Sequence, residues 1–549
     1  MIILHGYLLE GSGSNLWTRA IIRTLCLLGK TVHLMCQDPH PEAYDFISEV
    51  WKYPINNSSP ILSFKRSIPY PGECIMHKPD IGDVLPVYVR DKYEEFEQVV
   101  PMVELDNKSL ENYLSWNLKA LELILAKYPI KIIHANHAVL MSVVALRASE
   151  KANVPFIIMP HGSAIEYAVK KDERLHNLAL QAFSHASQIF TISSEMQERL
   201  VQTFPQIKHI RKKTQLLNLG VDTSLFSPLA HDQRKNSIEK LGTLLRDQPR
   251  GKTVSQMKHF EKALSTIKKY EDLIEIIEEF SNYELKFPDE AFEEWLLGEI
   301  PWNSAKILLF VGRLILTKGF HLILAALPLI LSQHPLTFLI IIGHGPLREL
   351  LQAFLWALSA GNKELAIEII ESRAQKGSSI TESLGHLQHF FSELKKKNQL
   401  DYYFEQAQHV NVSAHVLFTG YLTHEYLRYI FPCADIAIFP SIIAEAGPLV
   451  FLEAMASGTF PMGMYFAGMK VSIDSANEVL PEDVVELMKI RQNADHSVLD
   501  IMNNVNNVLS MEKSVSNELR TLAVRKYDWK NIAKIMLKTF DQIYNSPPK

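Results

Sequence analysis

The sequence predicts an α/β protein with two Rossmann-like domains that face a cleft and with two helical insertions. Short apolar runs alternate with longer segments at helical spacing, which is typical of βα units around a parallel sheet. This alternation occurs twice along the chain, in two blocks separated by a charge-rich stretch. A chain of 549 residues is long enough for two such domains, because one domain usually takes roughly 150 residues.

Composition excludes several other classes of protein. Hydrophobic residues make up 47% and charged residues 21% of the chain, values typical of globular rather than disordered or fibrous proteins. The net charge of −5 gives no general attraction to nucleic acid, so no nucleic-acid partner is expected. The longest apolar run, Leu322 to Leu331, is about half of the ~20 residues that span a bilayer. The chain is therefore not expected to cross a membrane.

The cysteines and the first residues indicate a compartment. Cys26, Cys36, Cys74 and Cys433 show no CxxC spacing, and a chain of this size does not need disulfides for stability, which favours a reducing environment. The chain opens directly on apolar residues, without the basic segment or cleavage site of a signal peptide. A cytoplasmic location is the expectation.

The first βα series predicts a domain over residues 1–229. Its apolar runs indicate parallel strands, and the segments between them have helical spacing. The predicted strands are Ile2 to Leu4, Thr31 to Cys36, Ile132 to His134, Pro155 to Met159, Gln188 to Ile192 and Gln215 to Asn218, and the predicted helices are residues 14–29, 138–151, 173–185 and 194–203.

The second series predicts a domain over residues 304–525. It repeats the same alternation, so a second parallel sheet is expected. The predicted strands are residues 306–311, 337–342, 415–419 and 435–439, and the predicted helices are residues 320–333, 346–357, 423–431 and 448–457.

Three further segments indicate helices outside the two series. Residues 230–303 are rich in charge and lack the pattern of a buried strand, but their apolar residues keep helical steps, which predicts a helical insertion or linker. Residues 359–410 predict a second helical insertion. Lids, oligomer contacts or acceptor-side walls are the roles considered for both. The amphipathic segment 526–549 predicts a C-terminal helix that could pack on either domain, and the domain boundaries place it back on the first.

Two loops at predicted strand ends have residues suited to phosphate binding. Gly11 and Gly13 follow the first strand and open the first helix, where free backbone amides attract anions, although a tight turn would use the same residues. Arg313 and Lys318 lie on a glycine-flanked loop and can clamp a diphosphate, the Arg as a fork and the Lys as a point charge. The alternative is that they are ordinary surface cations.

A pair of glutamates follows the apolar strand that ends near Phe439. Glu445 falls in a loop and Glu453 falls about one turn inside the next helix. An isolated Glu pair is usually solvated, but here the neighbouring residues are small or apolar, so Glu453 would be a costly helix residue without a partner. The two carboxylates could therefore reach different parts of one ligand.

Six motifs in register resemble one enzyme family. They are MPHGS, LNLGVDTSLFSP, VGRLILTKG, IIIGHGPLRELL, VLFTGYL and a DIAIFPS strand followed by Glu-x7-Glu. Their order and spacing, apart from the two insertions, are similar to those of the retaining glycosyltransferase family 4, the group 1 glycosyltransferases of GT-B fold. The resemblance implies that the first domain binds an acceptor and the second binds a nucleotide diphosphate sugar.

The resemblance also implies roles for single residues. Arg313 and Lys318 match the pair that holds the donor diphosphate, Glu453 the residue that takes the ribose hydroxyls, and Glu445 the residue that contacts the transferred sugar. The resemblance places the nucleobase against the backbone at Tyr421 and Leu422. The other donor-binding positions are Gly11, Gly13, Gly343, Gly345, Ala446, Gly447, Pro448 and Leu449.

His161 completes the implied catalytic set with Arg313, Lys318 and Glu445. A lone His is more often a core residue, but its place after an apolar strand matches a His that the family places beside the reacting sugar. Two features depart from the family. His344 stands where Asp is frequent, which leaves the choice of base open, and the Gly-rich segment that commonly follows the position of Gly458 is absent.

The family transfers its sugar with retention of configuration, by a displacement on one face in which the leaving phosphate oxygen can take the acceptor proton. Arg313 and Lys318 would stabilise the departing diphosphate. No DxD metal motif lies at a strand end, so metal independence is predicted. No cofactor is expected apart from the donor substrate, a UDP-, GDP- or ADP-sugar.

The acceptor and the cellular context stay open. The acceptor could be a sugar, a glycan or a lipid-linked hydroxyl, bound by variable loops in residues 37–100. The basic stretch Lys208 to Lys213 is either a solvated surface or a peripheral contact with anionic lipid at the inner face of a membrane. A non-catalytic nucleotide-sugar-binding subunit and a nucleotide-sugar epimerase of the same fold are the alternative functions.

Overall fold

The computed structural model describes residues 1–56, 58–88, 96, 98–267, 270–281, 287–290, 298, 300–371, 384–444, 447 and 449–545. The chain folds into two compact units. Unit 1 comprises Met1–Gly220 with Lys526–Lys549, and unit 2 comprises Val221–Arg525. Each unit has a sheet of mainly parallel strands with intervening helices, which confirms the predicted α/β class with two Rossmann-like domains.

The described residues of unit 1 form a nine-stranded sheet in the order β11-β10-β9-β8-β1-β2-β5-β3-β4, and β6 pairs with β7 separately. Paired neighbours are parallel except β3 and β4. The strands are β1 (Ile2–Leu4), β2 (Thr31–Met35), β3 (Ile47–Tyr53), β4 (Ile61–Lys65), β5 (Glu73–Pro79), β6 (Val84–Val87), β7 (Gln98–Pro101), β8 (Ile133–Asn136), β9 (Phe156–Met159), β10 (Gln188–Thr191) and β11 (Thr214–Leu216). The helices are Gly13–Leu27, Asn107–Lys127, Met141–Ala152, Glu173–His185, Ser194–Thr203, Ile210–Lys213 and Trp529–Asn545.

One region of unit 1 differs from the sequence-based expectation. Residues 37–100 were expected to be variable loops, but they contain β3 to β7, and three of these strands extend the main sheet. The outer strand β4 has only five residues and is mostly exposed, including its apolar residues Ile61 and Leu62. The inner strand β5 buries His77, whose Nε2 lies 2.9 Å from His33 Nδ1 on the neighbouring strand β2. His77 interrupts the apolar residues of β5, so the apolar run of this strand is limited to Cys74, Ile75 and Met76.

The C-terminal helix Trp529–Asn545 packs within unit 1 beside the helix Gly13–Leu27. The rings of Trp529 and Trp17 lie 6.4 Å apart in an edge-to-face arrangement. A Cβ atom on Gly220 would lie 2.3 Å from Trp529 Cε3, so only glycine leaves room for the indole at that point. The last helix of the chain thus contributes to the core of the unit that contains the first strand.

The described residues of unit 2 form a six-stranded parallel sheet in the order β14-β13-β12-β15-β16-β17. The strands are β12 (Lys306–Val311), β13 (Thr337–Ile342), β14 (Val416–Phe418), β15 (Ile436–Phe439), β16 (Phe460–Met464) and β17 (Lys489–Ile490). Helices that follow these strands are Phe320–Leu331, Arg348–Ala360, His424–Ile430, Leu449–Ala456, Ala467–Asp474, Glu482–Glu486, Ser497–Leu509 and Ser516–Leu522. The central strands are buried apolar runs, as expected for a sheet with helices on both faces.

Both predicted insertions contain helices. The first includes Arg234–Leu245, Val254–Leu264 and Tyr270–Ser281, and the second includes Lys363–Glu371, Gly385–Lys396 and Leu400–His409. Helices of the first insertion pack against Arg348–Ala360. Among the described residues, no helix has the length and apolar character needed to cross a membrane.

We expect Trp529→Ala to lower the free energy of unfolding by about 3–5 kcal/mol, because truncation of a buried aromatic side chain leaves a cavity. Urea denaturation followed by circular dichroism measures the change. Ile535→Ala, on the same helix but at a side chain that is 40% exposed, is the matched control and should change the stability by at most about 0.5 kcal/mol. Equal losses in the two variants would contradict the role given to the buried indole.

Candidate functional site

The loops at the carboxyl ends of β12, β13, β14 and β15 gather most of the predicted donor-binding residues of unit 2. Ligands of parallel α/β sheets bind at this edge, where the loops leave the strands. Arg313 follows β12, Gly343 follows β13 and Tyr421 lies shortly after β14. The structure therefore brings residues that are distant in sequence to one edge of one sheet.

Glycines let these loops approach each other at backbone distance. Gly343 N–H donates to Gly420 O at 2.9 Å. A Cβ atom on Gly343 would lie 1.8 Å from Gly312 O, and one on Gly345 would lie 2.6 Å from Leu314 O. Any side chain at Gly343 or Gly345 would separate the loop after β12 from the loop after β13, so both glycines are structural requirements of this edge.

The segment that contains Lys318 is bound to the loop after β15. Ile442 N–H donates to Thr317 O at 2.9 Å. Gly319 has φ +70°, and a Cβ atom there would lie 1.9 Å from Pro440 O. Lys318 is half-buried, whereas Arg313 is exposed at the other end of the same loop. Two cations are thus presented from one loop whose backbone is held on both sides.

Glu453 is buried in the helix Leu449–Ala456 with only 5% of its surface exposed. Its Oε1 lies 2.6 Å from Nδ1 of His424, the first residue of the helix His424–Ile430. Its Oε2 accepts no hydrogen bond from the described part of the chain. A buried carboxylate oxygen without a donor costs free energy, so this atom is suited to accept a hydroxyl of a ligand.

His424 was not predicted as a site residue, although it follows the VLFTGYL motif by one Thr. Its proximity to Glu453 depends on how two helices pack, which no sequence spacing reveals. Tyr421 and His344 are also neighbours, with ring centroids 5.4 Å apart in an edge-to-face arrangement. Leu422 is 4% exposed.

Part of the predicted site lies outside the described residues. Glu445, Ala446 and Pro448 belong to this part, so their predicted roles stay predictions. Gly447 is partly buried, and Leu449 begins the helix that contains Glu453.

In unit 1, His161 lies shortly after β9 and joins a hydrogen-bonded cluster at the carboxyl ends of β1, β8 and β9. Asn136 Nδ2 donates to Thr18 Oγ1 at 2.8 Å, which leaves Asn136 Oδ1 as an acceptor. His161 Nε2 lies 3.3 Å and His134 Nε2 lies 3.0 Å from that oxygen, so each ring donates through Nε2–H. This arrangement leaves Nδ1 of His161 as a hydrogen-bond acceptor.

The cluster contains four histidines, of which the sequence had indicated only His161. Burial lowers the pKa of His5 and of His134 to about 4. Burial, reinforced by neighbouring histidines, also holds the pKa of His137 and of His161 well below the usual value. At neutral pH these rings are therefore uncharged hydrogen-bonding groups. His161 can contact a hydroxyl without adding positive charge.

His137 packs beside the hydrogen-bonded residues of this cluster through its ring, which lies against His5 and His161. It has a φ of +72°, which is unfavourable for a residue with a Cβ atom. It is 2% exposed, and neither ring nitrogen has a hydrogen-bond partner among the described residues. Its ring centroid lies 5.0 Å from that of His161.

Gly11 and Gly13 begin the first helix of unit 1. Gly13 is the first residue of the helix Gly13–Leu27, and Ser12 Oγ accepts from Asn15 N–H at 3.4 Å. Both glycines are exposed, and a Cβ atom on either would meet nothing within 4 Å. Gly11 has φ +88°, which favours glycine. The loop therefore has open space beside it, where a ligand can approach the backbone.

No group of three or more His, Cys, Asp or Glu side chains that could hold a metal ion occurs within the described ranges. The metal independence derived from the motifs stays a prediction.

Comparisons with known proteins match both units. Residues 84–225 match the family described as Glycosyltransferase Family 4, and residues 299–367 and 386–477 match Glycosyl transferases group 1. An uncharacterized glycosyltransferase of Methanocaldococcus jannaschii is 25% identical over 235 residues, which are 42% of this chain and 44% of that protein. The aligned part thus spans less than half of either protein.

Solved structures resemble the chain over its whole length. The catalytic domain of starch synthase IV from Arabidopsis thaliana, bound to ADP and acarbose, has a TM-score of 0.53 at 12% identity, with 100% of both chains covered. HepE of Anabaena, in complex with UDP and glucose, has a TM-score of 0.51 at 13% identity, with 99% of this chain and 100% of that chain covered. At these identities the likeness shows a shared fold.

We expect the stability of unit 1 to fall as the pH decreases, because His134 is neutral when folded and titrates near pH 6.5 when unfolded. Its folded pKa of about 4 is depressed, so the stability is fully present above pH 6.5 and is lost as the pH falls from 6.5 toward 4. Between pH 7 and pH 5 this histidine should account for a loss of about 2 kcal/mol. The readout is urea denaturation at both pH values.

The variant His134→Phe should show a smaller loss between the two pH values than the wild-type protein, whatever its absolute stability. His185→Asn, at an exposed histidine of the same unit, is the control and should keep the wild-type pH dependence. An unchanged pH dependence in His134→Phe would contradict the neutral, buried state assigned to His134.

Proposed function

We propose that this chain, which has the matched domains and the architecture of a group 1 glycosyltransferase of GT-B fold, transfers a hexosyl unit from a nucleotide diphosphate sugar to a hydroxyl acceptor. The transfer retains the anomeric configuration. The bond between the anomeric carbon and the diphosphate oxygen breaks while the bond to the acceptor oxygen forms on the same face. The acceptor proton passes to the leaving phosphate oxygen.

The observation that best supports the proposal is the buried Oε2 of Glu453, which lacks a donor among the described residues. His424 holds the other oxygen of the carboxylate, so the side chain is fixed before any ligand binds. A ribose presents two adjacent hydroxyls, and an ionised carboxylate is a strong acceptor for them. In this proposal Glu453 binds the ribose of the donor.

Arg313 and Lys318 supply the positive charge that a departing diphosphate requires. The loop that presents both residues is held by backbone contacts with its neighbours, so the charges need little reorganisation when the bond breaks. A preorganised donor of this kind contributes about 3 kcal/mol to stabilisation of the transition state. No metal ion is needed for this role in the proposed mechanism.

The remaining residues are assigned on the family resemblance, which places the nucleobase of the donor against the backbone at Tyr421 and Leu422. Glu445 contacts the transferred sugar, and the backbone from Ala446 to Leu449 binds sugar hydroxyls and phosphate at the start of a helix. The neutral His161 of unit 1 accepts a hydrogen bond from a sugar hydroxyl through its Nδ1. Gly11 and Gly13 leave room for the acceptor and the phosphates.

The proposal names the donor base and the acceptor only by class. The donor is a UDP-, GDP- or ADP-sugar, and the acceptor is a carbohydrate or a lipid-linked hydroxyl bound by unit 1. A cytoplasmic location, with Lys208 to Lys213 as the segment for a peripheral membrane contact, is proposed with it.

We expect Arg313→Ala and Lys318→Ala each to lower kcat at saturating donor by about tenfold or more, because each removes charge that stabilises the leaving group. Release of nucleoside diphosphate from a panel of UDP-, GDP- and ADP-sugars measures the rate, and slow donor hydrolysis also separates an enzyme from a non-catalytic binder. Lys306→Ala, at the opposite end of the same strand β12, is the control and should keep the wild-type kcat. An unchanged kcat in both site variants would overturn the diphosphate assignment.

We expect Glu453→Gln to weaken binding of the nucleoside diphosphate by about tenfold or more, since a hydrogen bond to a charged group contributes about 1.5–3 kcal/mol. The same variant should lose the preference for a ribonucleoside over a 2′-deoxyribonucleoside diphosphate. Glu445→Ala should spare nucleotide binding yet impair transfer. Calorimetry that finds equal losses of nucleotide affinity in both variants would contradict this division of roles.

A further inference from the structure

Two short segments of the first insertion, residues 250–252 and 287–290, form what we call the insertion arm. The arm lies against the residues that follow β14, the outermost strand of the unit 2 sheet. Asp289 N–H donates to Thr419 O at 2.8 Å, and Tyr421 N–H donates to Phe287 O at 3.1 Å. Pro288 and Gly420 form an antiparallel bridge. The arm thus extends the sheet at the loop where the proposed donor base rests.

The arm is anchored by a buried group of four charges. Asp289 pairs with Arg348, and Lys252 pairs with Glu349. All four residues are at most 8% exposed, and Lys252 N–H donates to Asp289 Oδ1 at 3.0 Å. Arg348 and Glu349 begin the helix that follows the loop of Gly343 and Gly345. The arm is therefore tied to two elements of the donor site, the loop after β14 and the helix after β13.

The arrangement is specific to this position rather than a general cover for a sheet edge. Gly420 has φ +74°, and a Cβ atom there would lie 2.6 Å from Phe287 O. A Cβ atom on Gly251, within the arm, would lie 2.7 Å from Asp289 Oδ1. A side chain at Gly420 would meet the backbone of the arm, and one at Gly251 would meet the carboxylate of Asp289, so neither position has space for a side chain.

The buried charges favour a role in geometry over a role in stability. Buried ion pairs often contribute no more stability than apolar residues of the same volume, because desolvation offsets their attraction. Arg348 Nε also has no hydrogen-bond partner within the described residues. The two ion pairs do fix one position of the arm relative to the helix after β13.

The contacts of the arm determine which backbone N–H and C=O groups of residues 419–421 are available to a ligand. The N–H of Tyr421 is already used by Phe287 O, and Gly420 O accepts from Gly343 N–H. The ring of Tyr421 is held against His344. The backbone of residues 419–421 is thus held by the arm on one side and by the loop after β13, which contains Gly343, on the other.

We propose that the insertion arm sets the base selectivity of the donor site, by fixing the backbone of residues 419–421 and the ring of Tyr421. Asp289 is the positioning residue in this assignment, because its carboxylate joins the arm to Arg348 and its N–H joins it to Thr419. The inference rests on the proposed function, which places the nucleobase at Tyr421 and Leu422.

The test compares the binding of UDP, GDP, ADP and inorganic pyrophosphate to the full-length protein by calorimetry. In Asp289→Ala the ratio between the tightest and the weakest nucleoside diphosphate should shrink by about fivefold or more, while pyrophosphate affinity changes by less than about twofold. In Asp289→Asn, which keeps an acceptor for Lys252 N–H, the ratio should shrink less. Arg348 and the other charges are unchanged in both variants.

Arg234→Met is the matched control. It also breaks an ion pair between the first insertion and the rest of unit 2, because the buried Arg234 Nη2 lies 2.9 Å from Oδ1 of the partly exposed Asp435, but that pair lies at the amino end of β15. This variant should lose stability and keep the wild-type ratio among the nucleotides. If Asp289→Ala does not fold, the double variant Lys252→Met/Glu349→Met replaces the second ion pair with apolar side chains and should reduce the ratio in the same direction.

The outcomes separate the inference from the proposed function. Two results with a folded Asp289→Ala protein would overturn the role of the arm: an unchanged affinity ratio among UDP, GDP and ADP, or an equal loss of affinity for all ligands, pyrophosphate included. Neither result would contradict the proposed donor site. A wild-type protein that binds pyrophosphate and none of the three diphosphates would overturn the proposed donor site and the inference together.

Discussion

Contact between backbone loops at glycine positions is the constraint on which the candidate donor site depends. At Gly343 a Cβ atom would lie 1.8 Å from a neighbouring carbonyl oxygen, and at Gly319 it would lie 1.9 Å from one. These distances leave no room for a side chain, so the loops after β12, β13 and β15 act as one layer. The backbone positions of Arg313 and Lys318 follow from that layer. The site is built on backbone geometry, and its charges are added to a fixed frame.

The orientation of Glu453 in unit 2 and the neutral form of His161 in unit 1 both suit hydrogen bonds to the hydroxyl groups of a ligand. In unit 2 the carboxylate of Glu453 is oriented by His424 and keeps one buried oxygen without a donor in the described part of the chain. In unit 1 burial holds the pKa of His161 well below its usual value, so the ring stays neutral. Each arrangement costs some stability in the free protein, which is common where a site is preorganised for a ligand.

Sequence patterns predicted the parts of the fold in which one strand is one apolar run. This covers β1 and β9 in unit 1 and β12 to β15 in unit 2, because their residues are buried on both faces of a parallel sheet. The patterns missed β5, whose apolar run is short because buried His77 interrupts it; His77 bonds to His33 and also to Tyr53, whose hydroxyl lies 2.8 Å from its Nδ1. In the site, motifs indicated Arg313, Lys318 and Glu453, whereas His424 and Asn136 became visible only when packing had placed them beside a predicted residue.

The insertion arm is a feature of the site that sequence motifs could not reveal. Its ion pairs join residues 59 and 97 positions apart in sequence, so no local spacing reveals them. Loop closure over such distances adds little cost, since each doubling of loop length costs only about 0.6 kcal/mol. A chain can therefore acquire an insertion far from a site in sequence and still bring it against the site in space. Motifs describe the loops that related chains share, while the surroundings that fix those loops can belong to one chain alone.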